Sequence, residues 1–159
     1  MTELNANSNA TPGVIALPPL IYLAGLVPGI ALEFLYPLPL IESPLSHVIG
    51  WPLVALALAS AIWGIQTMRN AGTDVDVRKP DTALVTGGPF RFSRNPLYIS
   101  LTLLYLSISI LVKTLWPLFF LPFVLLVMIK GVIVREERHL ERLFGEQYMR
   151  YKERTRRWL

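Results

Sequence analysis

The chain has 159 residues, of which 53% are hydrophobic and only 16% are charged, and its mean hydropathy is +0.47. Soluble domains carry about 25% charged residues, so this composition argues against a soluble globular domain or a disordered chain and favours one membrane domain. The absence of cysteine rules out a disulfide framework and a thiolate metal site, and with only two histidines we expect no bound metal.

The net charge of +4 is unevenly distributed along the chain. Residues 1–68 contain no Lys or Arg, residues 69–94 contain five, and the tail from Arg135 onward contains eight. Because these basic residues share the chain with long apolar runs, contact with anionic membrane lipids explains them better than binding of nucleic acid. Charge-dependent chemistry is therefore expected in the 69–94 loop, in the tail, or in both.

The N-terminal part of the chain is polar and then strongly apolar. Residues 1–13 are predicted to be disordered, and the first apolar run, about 14–36, is long enough to cross a bilayer core of about 30 Å. Pro18 lies where a first helical turn tolerates proline. Glu33 lies late in this run, where an ionisable side chain is a functional candidate, with a position at the membrane interface as an equal alternative.

The second apolar run covers about residues 44–68. Ser43 is the predicted cap of this helix, and Pro44 is its predicted first residue. Together with the first run, it makes residues 14–69 a predicted two-helix membrane anchor.

Residues 97–134 form an apolar stretch too long for one span, because a single helix would measure about 57 Å at about 1.5 Å per residue. Lys113 and Thr114 in its middle predict the turn of a helical hairpin, with Asn95 as the cap and Pro96 as the first residue of the first arm. The chain is therefore predicted to be an all-α integral membrane protein with about four transmembrane helices.

The tail is predicted to continue as helix beyond the membrane. Residues 135–144 keep helical spacing, and Gly145 predicts a break. Residues 146–159 are typical of a basic amphipathic helix with Tyr148, Tyr151 and Trp158 available for the membrane interface. With four spans, the basic loop and the tail lie on one side of the membrane. The positive-inside rule then predicts that both termini are cytosolic.

The loop before the third helix, residues 84–98, is the most unusual segment of the chain. Gly87 and Gly88 permit backbone conformations closed to other residues, and Arg91 and Arg94 follow among aromatic side chains. The segment ends at a helix N-terminus, whose free N–H groups and dipole favour an anion. From this segment alone, a ligand site and a juxtamembrane loop that contacts lipid phosphates are equal alternatives.

Glu136 and Glu137 form the second unusual feature. The helical rise on both arms of the hairpin places Glu136 near the level of Arg91, and Tyr98 opposite residues 129–130. For an isolated charge run, a solvated helical turn with weak Glu–Arg pairs is the better interpretation. The convergence of two unusual segments on one membrane face favours a site.

Three segments, residues 71–73, 84–98 and 135–148, carry a family resemblance. They contain Gly-Pro-aromatic-Arg, Arg-X-Pro-X-Tyr and Glu-Glu motifs, in this order, around the hairpin. Together they resemble the isoprenylcysteine carboxyl methyltransferase and phospholipid methyltransferase superfamily over roughly residues 69–157. The resemblance implies an integral membrane enzyme that uses S-adenosylmethionine to methylate a lipid or a small apolar acceptor.

The resemblance also implies that residues 70–159 are the catalytic and cofactor-binding region, with the cofactor on the cytosolic side. The catalytic residues it implies are Arg94, Tyr98 and Glu137. The cofactor-binding residues it implies are Gly87, Gly88, Arg91, Arg94, Asn95, Pro96, Leu97, Tyr98, Glu136 and Glu137.

The chemistry of the cofactor agrees with these residue types. Its carboxylate suits an Arg or the backbone N–H groups of Leu97 and Tyr98, and its amino or ribose groups suit Glu136 or Glu137. Asn95 stands where the family often has His, and an amide side chain forms hydrogen bonds but does not titrate.

Two other functions stay open. Membrane reductases of sterol-reductase-like architecture share a similar C-terminal region and use NADPH, although this chain is short for them and the pair Glu136–Glu137 suits a dinucleotide phosphate poorly. A non-enzymatic membrane scaffold or small transporter subunit would bind no cofactor. Prenylated cysteine, phosphatidylethanolamine and small thiols are the acceptors possible at the family level, the oligomeric state is open, and a bacterial inner membrane is the expected location.

Overall fold

A computed structural model describes residues 13–40, 43–76 and 82–158, and all regular elements in these ranges are helical. The helices are α1 (Pro18–Leu35), α2 (Leu45–Asn70), α3 (Pro96–Val112), α4 (Trp116–Met128), α5 (Val134–Phe144) and α6 (Glu146–Arg154). A 3₁₀ turn covers Gly88–Arg91, and a π turn over Ile129–Ile133 joins α4 to α5. The predicted all-α fold is confirmed. The predicted disorder falls almost entirely on residues 1–12, which lie outside the described residues.

Within the described ranges, three helical stretches are long and apolar enough to cross a membrane: α1, α2 and the continuous helix Trp116–Phe144. The apolar helix α3 has 17 residues, which corresponds to about 26 Å. All four apolar runs of the sequence are therefore helices, as predicted, and the third is the shortest.

The hairpin turn lies where the sequence predicts it, and α1 packs against both of its arms. Lys113 ends α3 in the left-handed conformation with a φ of 64°. Helix α1 packs against α4 and α3, while α2 packs along α3. The hydroxyl groups of Tyr22 and Thr102 lie 2.8 Å apart and link α1 to α3. A Cβ atom at Gly29 would lie 2.8 Å from the Cα of Pro117, so the α1–α4 contact requires glycine there.

Glu33 joins the loop after α1 to the hairpin turn. Its Oε2 accepts hydrogen bonds from the Thr114 hydroxyl at 2.7 Å and from the backbone N–H of Leu38 at 3.0 Å. The Trp116 indole N–H donates to the Tyr36 carbonyl in the same region. The Glu33 carboxylate is therefore engaged in hydrogen bonds that hold two loops together. These loops lie at the end of the bundle opposite to α5.

Two predicted helix caps are corrected by the structure. Pro44 occupies the N-cap position of α2 rather than its first helical position, and Ser43 makes no capping bond because its hydroxyl lies 3.2 Å from His47 Nδ1. Asn95 and Pro96 begin α3 as predicted, but the Asn95 side chain does not cap the helix. Its amide donates instead to the carbonyl of Arg157, at 2.9 Å.

The tail folds back onto the membrane-spanning helices instead of ending as one amphipathic helix. Gly145, with a φ of 51°, separates α5 from α6, as predicted. Helix α6 ends at Arg154, and Lys152 pairs with Glu141 of α5. Residues 155–158, called the C-terminal strap below, return to the start of α3, where Trp158 packs against the apolar core. Trp158 is therefore a half-buried side chain that contributes to packing.

Candidate functional site

A cavity of about 630 Å³ lies between α1, α2 and α3 and extends up to α5 and α6. Its walls at the level of the apolar helices are formed by Leu17, Leu20, Ala57, Leu58, Ala61, Ile65, Leu101 and Leu104. Polar side chains collect at the other end, namely Asp76, Arg94, Asn95, Tyr98, Glu136, Glu137, Tyr148 and Tyr151. The cavity is therefore apolar toward the membrane-spanning helices and polar at the end where the basic loop and the tail meet.

Glu137 lies between two guanidinium groups at the polar end. Arg94 Nη2 is 3.1 Å from Glu137 Oε1, and both of these side chains are less than a tenth exposed. Arg157 donates from Nε and Nη2 to the two carboxylate oxygens, at 3.0 and 2.6 Å. The hydrogen bond to Glu137 raises the pKa of Arg157. Two guanidinium groups, one buried and one partly exposed, therefore share the Glu137 carboxylate.

Arg94 has unused hydrogen-bonding capacity inside the cavity. Within the described part of the chain, its Nε and Nη1 atoms are buried and have no hydrogen-bond partner. Buried donors of this kind are rare in folded proteins, and a charged donor is costly to leave unpaired. Because Arg94 also lines the cavity, these two atoms define a place for an anionic group of a ligand.

Tyr98 and Glu136 are brought together across the hairpin. The Tyr98 hydroxyl donates to Glu136 Oε1 at 2.8 Å, and both residues line the cavity. The predicted backbone donor at Tyr98 is wrong, because its N–H bonds to the Asn95 carbonyl at 3.1 Å. Asn95, Pro96 and Leu97 line the cavity as well.

Gly87, Gly88 and Arg91 do not line the cavity. The 3₁₀ turn buries Pro89 and directs Phe90 inward, which leaves the Arg91 side chain exposed. The loop accordingly meets the site through Phe90 and Arg94.

The two adjacent glycines differ in what the fold requires of them. Gly88 has a φ of 55°, and a Cβ atom there would lie 2.6 Å from the hydroxyl oxygen of Thr67 on α2. Gly87 has a φ of −92° and open space around it. Glycine is therefore required at position 88, both for its positive φ and because the loop packs closely on α2.

The C-terminal strap holds the loop that carries Arg94. The backbone N–H of Arg94 donates to the Arg156 carbonyl at 2.9 Å. The Arg157 carbonyl accepts from the Ser93 hydroxyl at 3.1 Å and from the Asn95 amide at 2.9 Å. Sequence reasoning missed the strap, since Arg157 is one basic residue among several in the tail and no local pattern distinguishes it.

Helix α6 closes the polar end with two tyrosines. Tyr148 is 1% exposed, so its predicted place at the membrane interface is wrong, and the Tyr151 hydroxyl donates to the Phe90 carbonyl at 2.7 Å. Burial raises the pKa of both hydroxyls, and the Glu137 carboxylate adds to the increase for Tyr148. Both side chains are therefore neutral hydrogen-bonding groups at physiological pH.

The segment after α2 lies across the same end of the cavity. The cavity is lined here by Thr73, Val75 and Asp76. The next five residues, 77–81, which include the basic Arg78 and Lys79, lie outside the described residues. The Thr82 hydroxyl donates to the Gly72 carbonyl at 2.6 Å and so links the described residues on the two sides of this gap. Asp76 is a second residue that the motifs did not indicate, because it precedes them in the chain.

The fold and the cavity define a helical membrane protein with a partly polar cavity at one end of its bundle. The phospholipid methyltransferase family model matches residues 45–147, which is more than half of the chain and includes every predicted site residue. The chain belongs to the phospholipid methyltransferase family. Helix α1 and the C-terminal strap lie outside the matched region.

The chain is also similar to a shorter protein. An uncharacterized protein from Haemophilus influenzae is 38% identical to it over 68 residues, which is 40% of this chain and 100% of the relative. No solved structure matches the chain significantly.

Proposed function

We propose that the protein transfers a methyl group from S-adenosylmethionine to a lipophilic or small apolar acceptor at the cytosolic face of a bacterial inner membrane. The observation that carries this proposal is the cavity, which joins a buried, partly unpaired Arg94 to apolar walls formed by membrane-spanning helices. Membership of the phospholipid methyltransferase family supports the reaction class. The basic loop and tail lie at the same end of the bundle, which supports a multi-pass topology with both termini in the cytosol.

The residues present fit the cofactor. Arg94 Nε and Nη1 would hold its carboxylate, because a guanidinium group binds a carboxylate through paired, charge-assisted hydrogen bonds. Glu136 would hold its amino group or a ribose hydroxyl. When bound, S-adenosylmethionine supplies an electrophilic methyl group on a positively charged sulfur. The carboxylates of Asp76 and Glu136 at the polar end are suited to that positive charge.

Each of the three predicted catalytic residues has a part in this scheme. Glu137 is occupied by Arg94 and Arg157, so it would position Arg94 rather than take a proton. Tyr98 would orient the Glu136 carboxylate through its hydroxyl group. An acceptor amine must lose its proton before it attacks and would need a base at the polar end, whereas an acceptor carboxylate needs no base.

The acceptor would enter from the membrane between α1 and α2. These two helices pack on other neighbours, and residues of both, Leu20 and Leu58 among them, face the cavity. The wall below the polar end is apolar as far as Leu104. An apolar acceptor held there would present its reactive atom to the polar end, and positioning of this kind supplies a large share of catalysis in a displacement reaction.

Calorimetric titration of the purified protein with S-adenosylmethionine and S-adenosylhomocysteine tests the proposal. Both should bind, and Glu136→Gln and Tyr98→Phe should weaken binding by about tenfold or more, because a hydrogen bond to a charged group contributes about 1.5–3 kcal/mol. Arg150→Gln on the exposed surface of α6 is the matched control and should bind normally.

The same titration separates the alternative functions. Binding of NADPH in place of S-adenosylmethionine would identify a reductase, although among the described residues three carboxylates and one guanidinium group line the polar end and oppose a dinucleotide phosphate. If well-folded protein binds neither cofactor, the proposal is refuted, and a non-enzymatic membrane scaffold is the remaining alternative.

A further inference from the structure

The helix that carries Glu136 and Glu137 has a second charged face. A groove of about 400 Å³ lies along it, lined by Lys130, Val134, Arg135, Arg138 and Arg142. We call this the basic groove. Its four basic residues are exposed, and none of the described residues that line it is acidic. A concave surface with four positive charges and no carboxylate is complementary to an anion of high charge density.

The basic groove and the cavity lie on opposite sides of α5. Glu136 and Leu140 line the cavity, whereas Arg138 and Arg142 line the groove. Because residues two apart on an α-helix are separated by roughly 160° around its axis, these two pairs face in nearly opposite directions. The groove is therefore a separate feature and shares no residue with the proposed methyl-transfer site.

The position of the basic groove along its helix identifies the anion. Trp116–Phe144 is one of the helices able to cross a membrane, and its apolar part gives way to charged residues at Arg135. Lys130 and Arg142 are separated by about 18 Å of helix, so the groove extends from the apolar part into the polar part. Lipid phosphate groups lie at this boundary, and Val134 provides an apolar surface at the edge nearest the acyl chains.

The arginines of the groove are held by the backbone and keep donors for a ligand. Arg135 Nη1 donates to the Gly13 carbonyl at 2.8 Å, and Arg142 Nε donates to the Arg138 carbonyl at 3.3 Å. A guanidinium group has five N–H donors, so one such bond orients the group and leaves the others available.

We propose that the basic groove binds the phosphate group of an anionic phospholipid from the adjacent leaflet. The guanidinium groups of Arg138 and Arg142 pair with the phosphate oxygens, and Lys130 contributes a further charge from the apolar side. Such a lipid fixes the depth of α5 in the membrane. A soluble phosphate ion or a nucleic acid would use the same charges but would not need a groove that continues into the apolar part of the helix.

Retention of phosphatidylglycerol by the purified full-length protein tests this proposal. The protein is exchanged into nanodiscs of phosphatidylcholine with a small amount of labelled phosphatidylglycerol, and the lipid bound to the protein is quantified. The double variant R138Q/R142Q is compared with R150Q/R154Q, which removes the same charge from exposed positions of α6. An arginine near a membrane surface contributes about fivefold to binding of an anionic lipid, so we expect a loss of about 25-fold for the first variant and little change for the second.

Three results would overturn the proposal. Equal losses in both double variants would mean that diffuse surface charge attracts the lipid, and equal retention of phosphatidylcholine would mean that the groove does not select anions. Displacement of the label by inorganic phosphate would mean that a soluble anion is the ligand. If R138Q/R142Q does not fold by circular dichroism, R138Q alone applies the same test, with an expected loss of about fivefold. Cofactor titration of the same variants keeps this result distinct from the proposed methyl transfer, because groove variants should bind S-adenosylmethionine normally.

Discussion

Glu137→Gln removes the negative charge that lies between two guanidinium groups. The Glu137 and Arg94 side chains are 8% and 9% exposed, so the substitution leaves Arg94 charged in a buried site without its partner. Removing one member of a buried ion pair costs about 3–5 kcal/mol. Arg157 is 35% exposed, so it recovers hydration from water and contributes less to this loss. For a chain of this size a loss of 1 kcal/mol lowers the melting temperature by about 2–4 °C, so we expect a decrease of roughly 10 °C.

Thermal unfolding in detergent micelles, followed by circular dichroism, measures this decrease. Glu136→Gln is the matched control, because it neutralises the neighbouring carboxylate but keeps an oxygen that accepts the Tyr98 hydroxyl, with an expected cost of about 1 kcal/mol. The double variant R94M/E137M removes both buried charges and should be more stable than Glu137→Gln alone. The reasoning is refuted if Glu137→Gln melts no lower than Glu136→Gln, or if the double variant is the least stable of the three.

Three further predictions concern other parts of the fold. Gly88→Ala should cost about 1–3 kcal/mol because it combines a positive φ with a clash, whereas Gly87→Ala should be nearly neutral, and thermal unfolding compares the two. Because burial raises the pKa of Tyr148 above its usual 10.0, the stability that its neutral form provides is complete below that pH and is lost as the pH rises further. Tyr148→Phe should therefore reduce the fall in melting temperature between about pH 9 and about pH 11, and an unchanged alkaline profile would contradict this assignment. Glu33→Ala should destabilise the protein by about 1–3 kcal/mol through loss of the bond from Thr114, without changing the affinity for S-adenosylmethionine, and reduced affinity would show that Glu33 acts beyond its end of the bundle.

Much of the fold follows from local signals in the sequence. Proline and polar residues mark where apolar runs begin and end, so the start of α3 at Pro96 and the turn at Lys113 are predictable. The position of the turn predicts that Tyr98 and Glu136 lie toward the same end of the hairpin. The predicted register places Tyr98 opposite residues 129–130, however, whereas in the structure its hydroxyl group reaches Glu136. The helical rise per residue predicts how deep a residue lies along the bundle but not the direction in which its side chain points. Arg91 therefore lies at the predicted end of the bundle, but its side chain is exposed to solvent.

The remaining features depend on contacts between distant segments. Arg157 forms an ion pair with Glu137, which lies twenty residues earlier in the chain. Its carbonyl also accepts a hydrogen bond from the side chain of Asn95, which is still more distant in the sequence. No sequence pattern near Arg157 predicts either of these bonds. The burial of Tyr148 also cannot be predicted from the sequence. An amphipathic helix that lies on a membrane and one that packs over a cavity have the same periodicity of apolar residues.

The arrangement of charge around α5 requires more than the positive-inside rule. That rule depends on the number of basic residues near the membrane and is indifferent to the face of the helix on which they lie. In this helix, however, the carboxylates of Glu136 and Glu137 face the cavity, and Arg138 and Arg142 face the opposite side. Moving one arginine to the cavity face would keep the topology signal but would place a guanidinium group beside Glu136 and Glu137, where it would pair with the carboxylates that line the cavity. The segregation supports the two proposals, in which the acidic face serves a cofactor and the basic face serves a lipid, and substitutions on one face should leave the function proposed for the other intact.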